Sequence, residues 1–250
     1  MELLVLGAGP AYTNRFAARG AAYLLREGES ALVLDLGQGT FPALAAAIEP
    51  SAIEAVAISH LHPDHFVDLV PLRHYLRWEF EPARQVRVVA PAGLAARLDG
   101  LHAEPGFCAA ALAIETLTAG SRSIGPFTIE AVRVTHTSDS HAFRVSVGHG
   151  PGLVYSGDCG RASDLDPLVR PGDVLLTEVS FGVGPVPSGA LHLDAAAVAG
   201  LATRTKPARV LLTHLQMGYD RAATVAAVEA AADIPVRFVM PGDRVDLDGP

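Results

Sequence analysis

The sequence predicts an α/β fold organised as one domain, and three observations carry that reading. Short runs rich in Val, Leu and Ile alternate with Ala/Leu stretches of helical period along the whole chain. No linker, repeat or low-complexity segment interrupts the alternation over 250 residues. Residues able to do chemistry stand directly after apolar strands, where open α/β architectures place their sites.

The first third reads as strands 2–6, 21–26 and 31–35, with the turn Glu27–Ser30 between the second and third. A helix follows over about 40–48, ended by Pro50. Next come strand 53–59, a polar loop, a helix over about 64–80, strand 86–90 and a helix starting at Pro91, where proline suits a first turn. Residues 100–108 read as irregular. Strands 127–134 and 142–147 follow, the latter turning at 148–152 into 153–155, so the centre is antiparallel. The last third alternates strand 174–177, a glycine-rich loop over 181–190, helix 193–203, strand 209–212, helix 221–231 and strand 236–239.

Half of the residues are apolar, enough for a sizeable core, yet no apolar run reaches the ~20 residues of a membrane span. The N-terminal MELLVLGAGP carries no basic segment and reads as a strand, so a cytoplasmic location is expected. Two cysteines, Cys108 and Cys159, are too few for a disulfide framework, and free thiols suit a reducing compartment. Against 27 acidic residues stand 19 basic ones, a net charge of −8 that disfavours long nucleic acids as partners.

The strongest local signal is His60-Leu61-His62-Pro63-Asp64-His65, directly after strand 53–59. In extended backbone residues i and i+2 share a side, so His60 and His62 can close on one ion. Pro63 keeps His62 out of the helical region, and Asp64 and His65 at the next helix start can reach a second ion. Imidazole and carboxylate without thiolate suit Zn²⁺ and are compatible with Mn²⁺ or Fe²⁺. Further candidates end other strands: His136, Asp158 in Ser156-Gly157-Asp158-Cys159-Gly160, and His214.

With those residues in place, the sequence resembles the metallo-β-lactamase superfamily of dinuclear hydrolases, through His60-x-His62-x-Asp64-His65, His136, Gly157-Asp158 and His214. The openings Leu6-Gly7-Ala8-Gly9 and Leu34-Asp35-Leu36-Gly37-Gln38-Gly39-Thr40 look similar too. The resemblance implies an αββα sandwich, two mixed β-sheets flanked by helices. It also implies one metal on His60, His62 and His136, another on Asp64, His65 and His214, and Asp158 bridging them. Thr135-His136-Thr137, Ala142-Phe143-Arg144-Val145, Leu176-Thr177-Glu178-Val179-Ser180 and His192-Leu193-Asp194-Ala195 resemble the ribonuclease Z-like branch, which also holds small phosphodiesterases. His192 then takes the place of that branch's catalytic histidine. Thr177 departs from the histidine usual before the glutamate, and Leu193-Asp194 from the usual small residue and threonine.

Members that process tRNA carry a long arm, commonly between the third ligand segment and the bridging aspartate. Here His136 and Asp158 are 22 residues apart, and a strand and tight hairpin use that length. The resemblance therefore implies a phosphodiesterase for small or cyclic diesters acting through a metal-bridging hydroxide. Asp64, His192 and Glu178 are its catalytic candidates, His192 being the general acid. The alternatives are a ribonuclease Z-like tRNA 3′ endonuclease, a thioesterase or lactonase of the same superfamily, and a non-catalytic scaffold. A homodimer is expected from the resemblance. His141 reads as a substrate contact or a cover over the site, Phe143 and Cys159 as packing, His74 as a helix-face residue, and His102 and His149 as loop residues without partners.

Overall fold

A computed structural model describes residues 1–249. The chain runs β1 (Glu2–Gly7), β2 (Ala22–Glu27), β3 (Ser30–Leu34), α1 (Phe41–Ala47), β4 (Ala55–Ala57), α2 (Pro63–Phe66), α3 (Leu69–Trp78), β5 (Val86–Ala90), α4 (Leu94–His102), β6 (Leu112–Thr116) and β7 (Gly120–Ile124). It continues with β8 (Phe127–Val134), β9 (Ser140–Val147), β10 (Leu153–Tyr155), β11 (Val174–Glu178), α5 (Ala195–Thr205), β12 (Arg209–Thr213), α6 (Arg221–Ala232), β13 (Val236–Phe238) and β14 (Arg244–Asp246).

The strands form two seven-stranded mixed sheets, ordered β14-β1-β2-β3-β4-β5-β6 and β13-β12-β11-β10-β9-β8-β7. Period-two alternation explains how they stack. Leu3, Val5, Tyr23 and Leu25 of one sheet and Ile129, Phe143, Val145 and Leu176 of the other share a core between the sheets. The intervening Leu4, Leu24 and Val33 turn outward onto Leu69, Leu72 and Leu76 of α3 and Leu94 and Leu98 of α4. On the far side Ala142, Val154 and Leu175 meet Val198, Ala199 and Leu201 of α5 and Val228 of α6. Three apolar layers separated by two sheets make the αββα sandwich.

Several elements differ from the sequence reading. The helix expected over 64–80 is two helices, because Pro71 has no N–H to donate and its ring crowds the carbonyl of Val67. The break frees Asp68, which accepts a hydrogen bond from the Phe41 N–H at 2.7 Å and so anchors the start of α1. The helix placed at Pro91 begins at Leu94, since Gly93 sits at φ +93° and holds the chain in a turn before it. Part of 100–108 is helical, and His102, expected to lack a partner, ends α4, stacks on Phe107 at 4.0 Å and pairs with Glu104 at 3.2 Å. Three edge strands, β6, β7 and β14, went unread because each buries only one residue and so shows no alternation.

Beneath the β9–β10 turn lies the second sheet's main ionic contact. Arg144 pairs through Nε and Nη2 with both oxygens of Asp173 at 2.8 Å, and Asp173 also accepts the N–H groups of Gly152 and Arg170. Both side chains are buried. Asp173→Ala would leave the buried Arg144 guanidinium with Glu130, at a longer 3.3 Å, as its remaining carboxylate, for which we expect a loss of about 3 kcal/mol. Chemical denaturation of the wild type and variant measures it.

Candidate metal centre

Strand direction explains why the chemistry collects at one edge. The pairs β3–β4 and β10–β11–β12 are parallel, and β8 runs with β10 because β9 is antiparallel to both. Every one of these strands therefore ends on the same side, delivering Asp35 after β3, Ser59 and His60 after β4, His136 after β8, Asp158 after β10, Glu178 at the end of β11 and His214 after β12.

His62, Asp64 and His65 come from the turn into α2, held by backbone contacts. The Asp64 carbonyl accepts from Ala21 N at 3.0 Å, and the His65 carbonyl from Leu36 N at 2.7 Å. Gly37 makes that approach possible, since a Cβ there would lie 1.8 Å from the Asp64 oxygen. Gly157 serves the same end before Asp158, at φ +55° and packed against Ser59 and the His141 carbonyl.

The seven residues expected as ligands converge. Ligand atoms of His60, His62, His136 and Asp158 form one group and those of Asp64, His65 and His214 another, each spanning no more than 4.8 Å. Asp158 lies between them, with Oδ2 3.7 Å from His60 Nε2 and Oδ1 3.3 Å from His65 Nε2 and 3.5 Å from His214 Nε2.

Hydrogen bonds on the far ring nitrogens fix which nitrogen faces the group. His65 Nδ1 donates to Asp35 Oδ2 at 2.7 Å, and His136 Nδ1 donates to the Leu191 carbonyl at 2.8 Å. His60 Nδ1 lies 3.1 Å from the Ser59 hydroxyl and His214 Nδ1 3.1 Å from the Ser180 hydroxyl. That leaves Nε2 of these four rings, with Nδ1 of His62, pointing inward. His136 Nε2 and His62 Nδ1 stand only 3.1 Å apart.

Inside this cluster the buried His60 Nε2, His65 Nε2 and Asp158 Oδ1 have no hydrogen-bond partner. Such atoms are costly to bury unless an ion claims them, so the donor set fits a divalent cation. Burial and the neighbouring His65 hold His60 well below the usual imidazole range, keeping its lone pair free. Burial alone would raise Asp158, but the His214 and His65 rings outweigh it and hold the carboxyl well below its ordinary value.

The expected His192–Glu178 pair is present, with His192 Nδ1 donating to Glu178 Oε1 at 2.9 Å and lying 3.9 Å from Asp158 Oδ2. Burial opposes a charge on His192, yet the hydrogen bond and charge of Glu178 outweigh it and push the ring up to about 9. Glu178 also accepts from Cys159 N and from Ser180, which locks its orientation. His141 is buried but joins neither ligand group. Both its ring nitrogens lack hydrogen-bond partners, and its Nδ1 stands 3.8 Å from Asp139 Oδ1. Phe143 and Cys159 pack in the core, and the cysteines are free. His74 on α3 meets the rings of His102 and Phe107 at steep angles, with centroids 5.5 and 5.4 Å away.

Sequence reasoning missed Asp35, Ser59, Ser180 and Tyr155 as supports. Asp35 is fully buried and accepts four hydrogen bonds, from Ser59 N, the Ser59 and Tyr155 hydroxyls and His65 Nδ1, at 2.6–2.8 Å. Its place after an apolar strand, in backbone at φ +56°, was the available signal.

A model of the beta-lactamase superfamily domain matches residues 33–215. The chain belongs to that superfamily. It is 25% identical over 202 residues to the probable metallo-hydrolase YhfI of Bacillus subtilis, covering 78% of this chain and 79% of that protein. The crystal structure of YhfI superimposes with a TM-score of 0.86 over 98% of each chain. The short form of human tRNase Z follows at 0.72, with 20% identity and 99% of each chain covered. A diphosphatase of the PhnP family gives 0.74, with 16% identity over 99% of this chain and 98% of that one. At these identities the structural likenesses show a shared fold. Among the described residues no helix is long and apolar enough to cross a membrane.

Asp35→Asn keeps the size of the side chain but removes the anion that His65, Ser59 and Tyr155 share. We expect it to hold divalent metal about 10–100-fold more weakly under chelator dialysis. Elemental analysis after dialysis, with a melting curve as the folding control, checks this.

Proposed function

We propose that the protein is a dinuclear phosphodiesterase for small or cyclic diesters, with Zn²⁺ as its metal. The observation that carries the reading is the His192–Glu178 pair set against Asp158 at the rim of a cleft of about 260 Å³. His60, His62 and His136 would hold one ion, Asp64, His65 and His214 the other, with Asp158 shared. When bound, the two ions supply an activated water and neutralise charge on the phosphate oxygens.

The chain's own residues do the rest. His192 is protonated through Glu178 and has Nε2 free, so it can donate a proton to the departing alkoxide oxygen. Glu178 keeps the ring in one orientation and stabilises its charge, while Asp64, with Oδ2 3.2 Å from His214 Nε2, would face the same ion as that ring. Tyr12 and Pro10 wall the cleft on the substrate side. An acyl substrate with a thiolate leaving group has no use for this acid, which favours the phosphodiester reading over a thioesterase.

The short segment between His136 and Asp158, most of which β9, its turn and β10 occupy, supports a small substrate. The net charge of −8 offers no substitute grip for a long polyanion. The relatives' names, a diphosphatase and a tRNase Z, lie on the phosphoester side of the superfamily and keep tRNA 3′ processing as the second reading.

Elemental analysis of metal-saturated protein should give about two ions per chain, since seven ligands exceed what one tetrahedral site uses. A value of one or below removes the dinuclear assignment. His192→Ala should keep both ions while kcat on diesters with alkoxide leaving groups falls about 10²–10⁴-fold, and much less on a nitrophenyl diester. Side-by-side turnover of cyclic nucleotides, bis-nitrophenyl phosphate, a thioester, a lactone and a tRNA precursor tests the class. Efficient single-site cleavage of the precursor with inert small diesters would overturn the proposal, as would thioester or lactone hydrolysis alone.

A further inference from the structure

A second cavity, about 310 Å³, lies on the other side of the segment that follows His214. Pro10 belongs to the walls of both cavities, and Leu215 lines this one while Gln216 lines the metal cleft. Its size is at the lower end of ligand pockets, roughly 300–1,000 Å³.

Three arginines line it, Arg15, Arg19 and Arg221, with no aspartate or glutamate among its lining residues. None of the three makes an ion pair among the described residues, in a protein with eight more acidic than basic side chains. Their polar contacts are with uncharged groups. Arg15 donates to the Leu215 and Gln216 carbonyls at 2.7 and 3.2 Å, and Arg19 to the Leu6 carbonyl at 3.4 Å. Arg221 has the Met240 sulfur 2.9 Å from Nη1 and the face of Phe238 with its ring centroid 5.6 Å from Cζ, and its Nε is buried without an acceptor. Burial and the like charge of Arg15 both lower Arg221 from its ordinary value. The like charges of Arg15 and Arg221 repel each other across the cavity, with Arg19 on the same wall, and a bound anion relieves that repulsion.

The remaining wall is apolar, from Phe238, Met240 and Leu215, with Phe16 fully exposed on the rim. A guanidinium fork presents parallel donors to an oxyanion, and three positive charges match a dianion better than a single carboxylate. We propose that this cavity binds the phosphate monoester group of an organic phosphate, with the apolar or aromatic body of the ligand against Phe16 and Phe238. The site is separate from the metal centre and stands whatever bond the metal centre cleaves. Two sources share that chemistry: a non-reacting phosphate at the far end of the substrate, or a free organic phosphate that regulates through the segment carrying His214.

The test uses metal-loaded protein and phenyl phosphate as probe, with benzoate as the monoanionic control. Arg15 is left intact because it braces the carbonyls next to His214. Calorimetric titration of the wild type should show one binding event beyond that of the metal centre. In Arg221→Gln, and more so in the Arg19→Gln/Arg221→Gln double variant, that event should weaken at least about tenfold while metal content and melting temperature hold. Turnover of bis-nitrophenyl phosphate separates the sources. An arginine-dependent effect of phenyl phosphate on KM assigns the pocket to the substrate, and one on kcat assigns it to a regulator. Equal stoichiometry and affinity in wild type and variants would overturn the proposal, as would benzoate binding as tightly as phenyl phosphate. A protein inert on every diester but losing the extra event in Arg221→Gln would sink the phosphodiesterase reading alone.

Discussion

Four donors from the ends of two strands and a helix turn meet on the carboxylate of Asp35, and the geometry of the candidate metal centre depends on that meeting. Ser59 belongs to the end of β4, Tyr155 to β10 of the opposite sheet, and His65 to α2. A fully buried carboxylate is stable only while these donors stay in place. The same contact that sets the His65 ring therefore ties the two sheets together across the core. Tyr155 packs on Tyr23 with ring centroids 5.0 Å apart, and Tyr23 bonds Thr213, the residue before His214. One polar chain thus links the ligand loops of both halves.

The fold supplies the rest through strand direction. Parallel strands ending together deliver four candidate ligands and Glu178 to one edge, while the turn into α2 adds His62, Asp64 and His65 and the loop before α5 brings His192. Glu178 and Thr213 stand opposite each other in the β11–β12 register, so the acid's partner and the residue before His214 are neighbours by sheet geometry alone. Metal binding and proton delivery are therefore adjacent, and the Ser180 hydroxyl touches both, 3.1 Å from His214 Nδ1 and 3.3 Å from His192 Nδ1.

How much of this was legible in the sequence follows from how local each signal is. His60 to His65 could be read because spacing and Pro63 fix side-chain directions within six residues. His136, Asp158 and His214 were legible as strand-terminal residues, but their convergence needed a family resemblance, since spacing carries no information across 150 residues. Asp35 was invisible as a hub because a lone carboxylate after a strand looks like a turn residue until its donors are known. Edge strands such as β7, Gly120–Ile124, hide for the opposite reason: they lack the buried alternation that marks a strand. The arginine cavity was equally hidden, since Arg221 lies about 200 residues from Arg15 and Arg19 and each alone reads as a surface charge.

The close approach of Gly37 to the Asp64 carbonyl has a consequence for how such a centre diversifies. Backbone, rather than side-chain packing, positions residue 64, so the side chain itself carries little of the structural load. Exchange of that carboxylate for another donor would alter the electronic character of one ion while leaving the architecture around it untouched. The superfamily scaffold can thus separate the choice of metal from the problem of folding, and a lineage can drift in one without endangering the other.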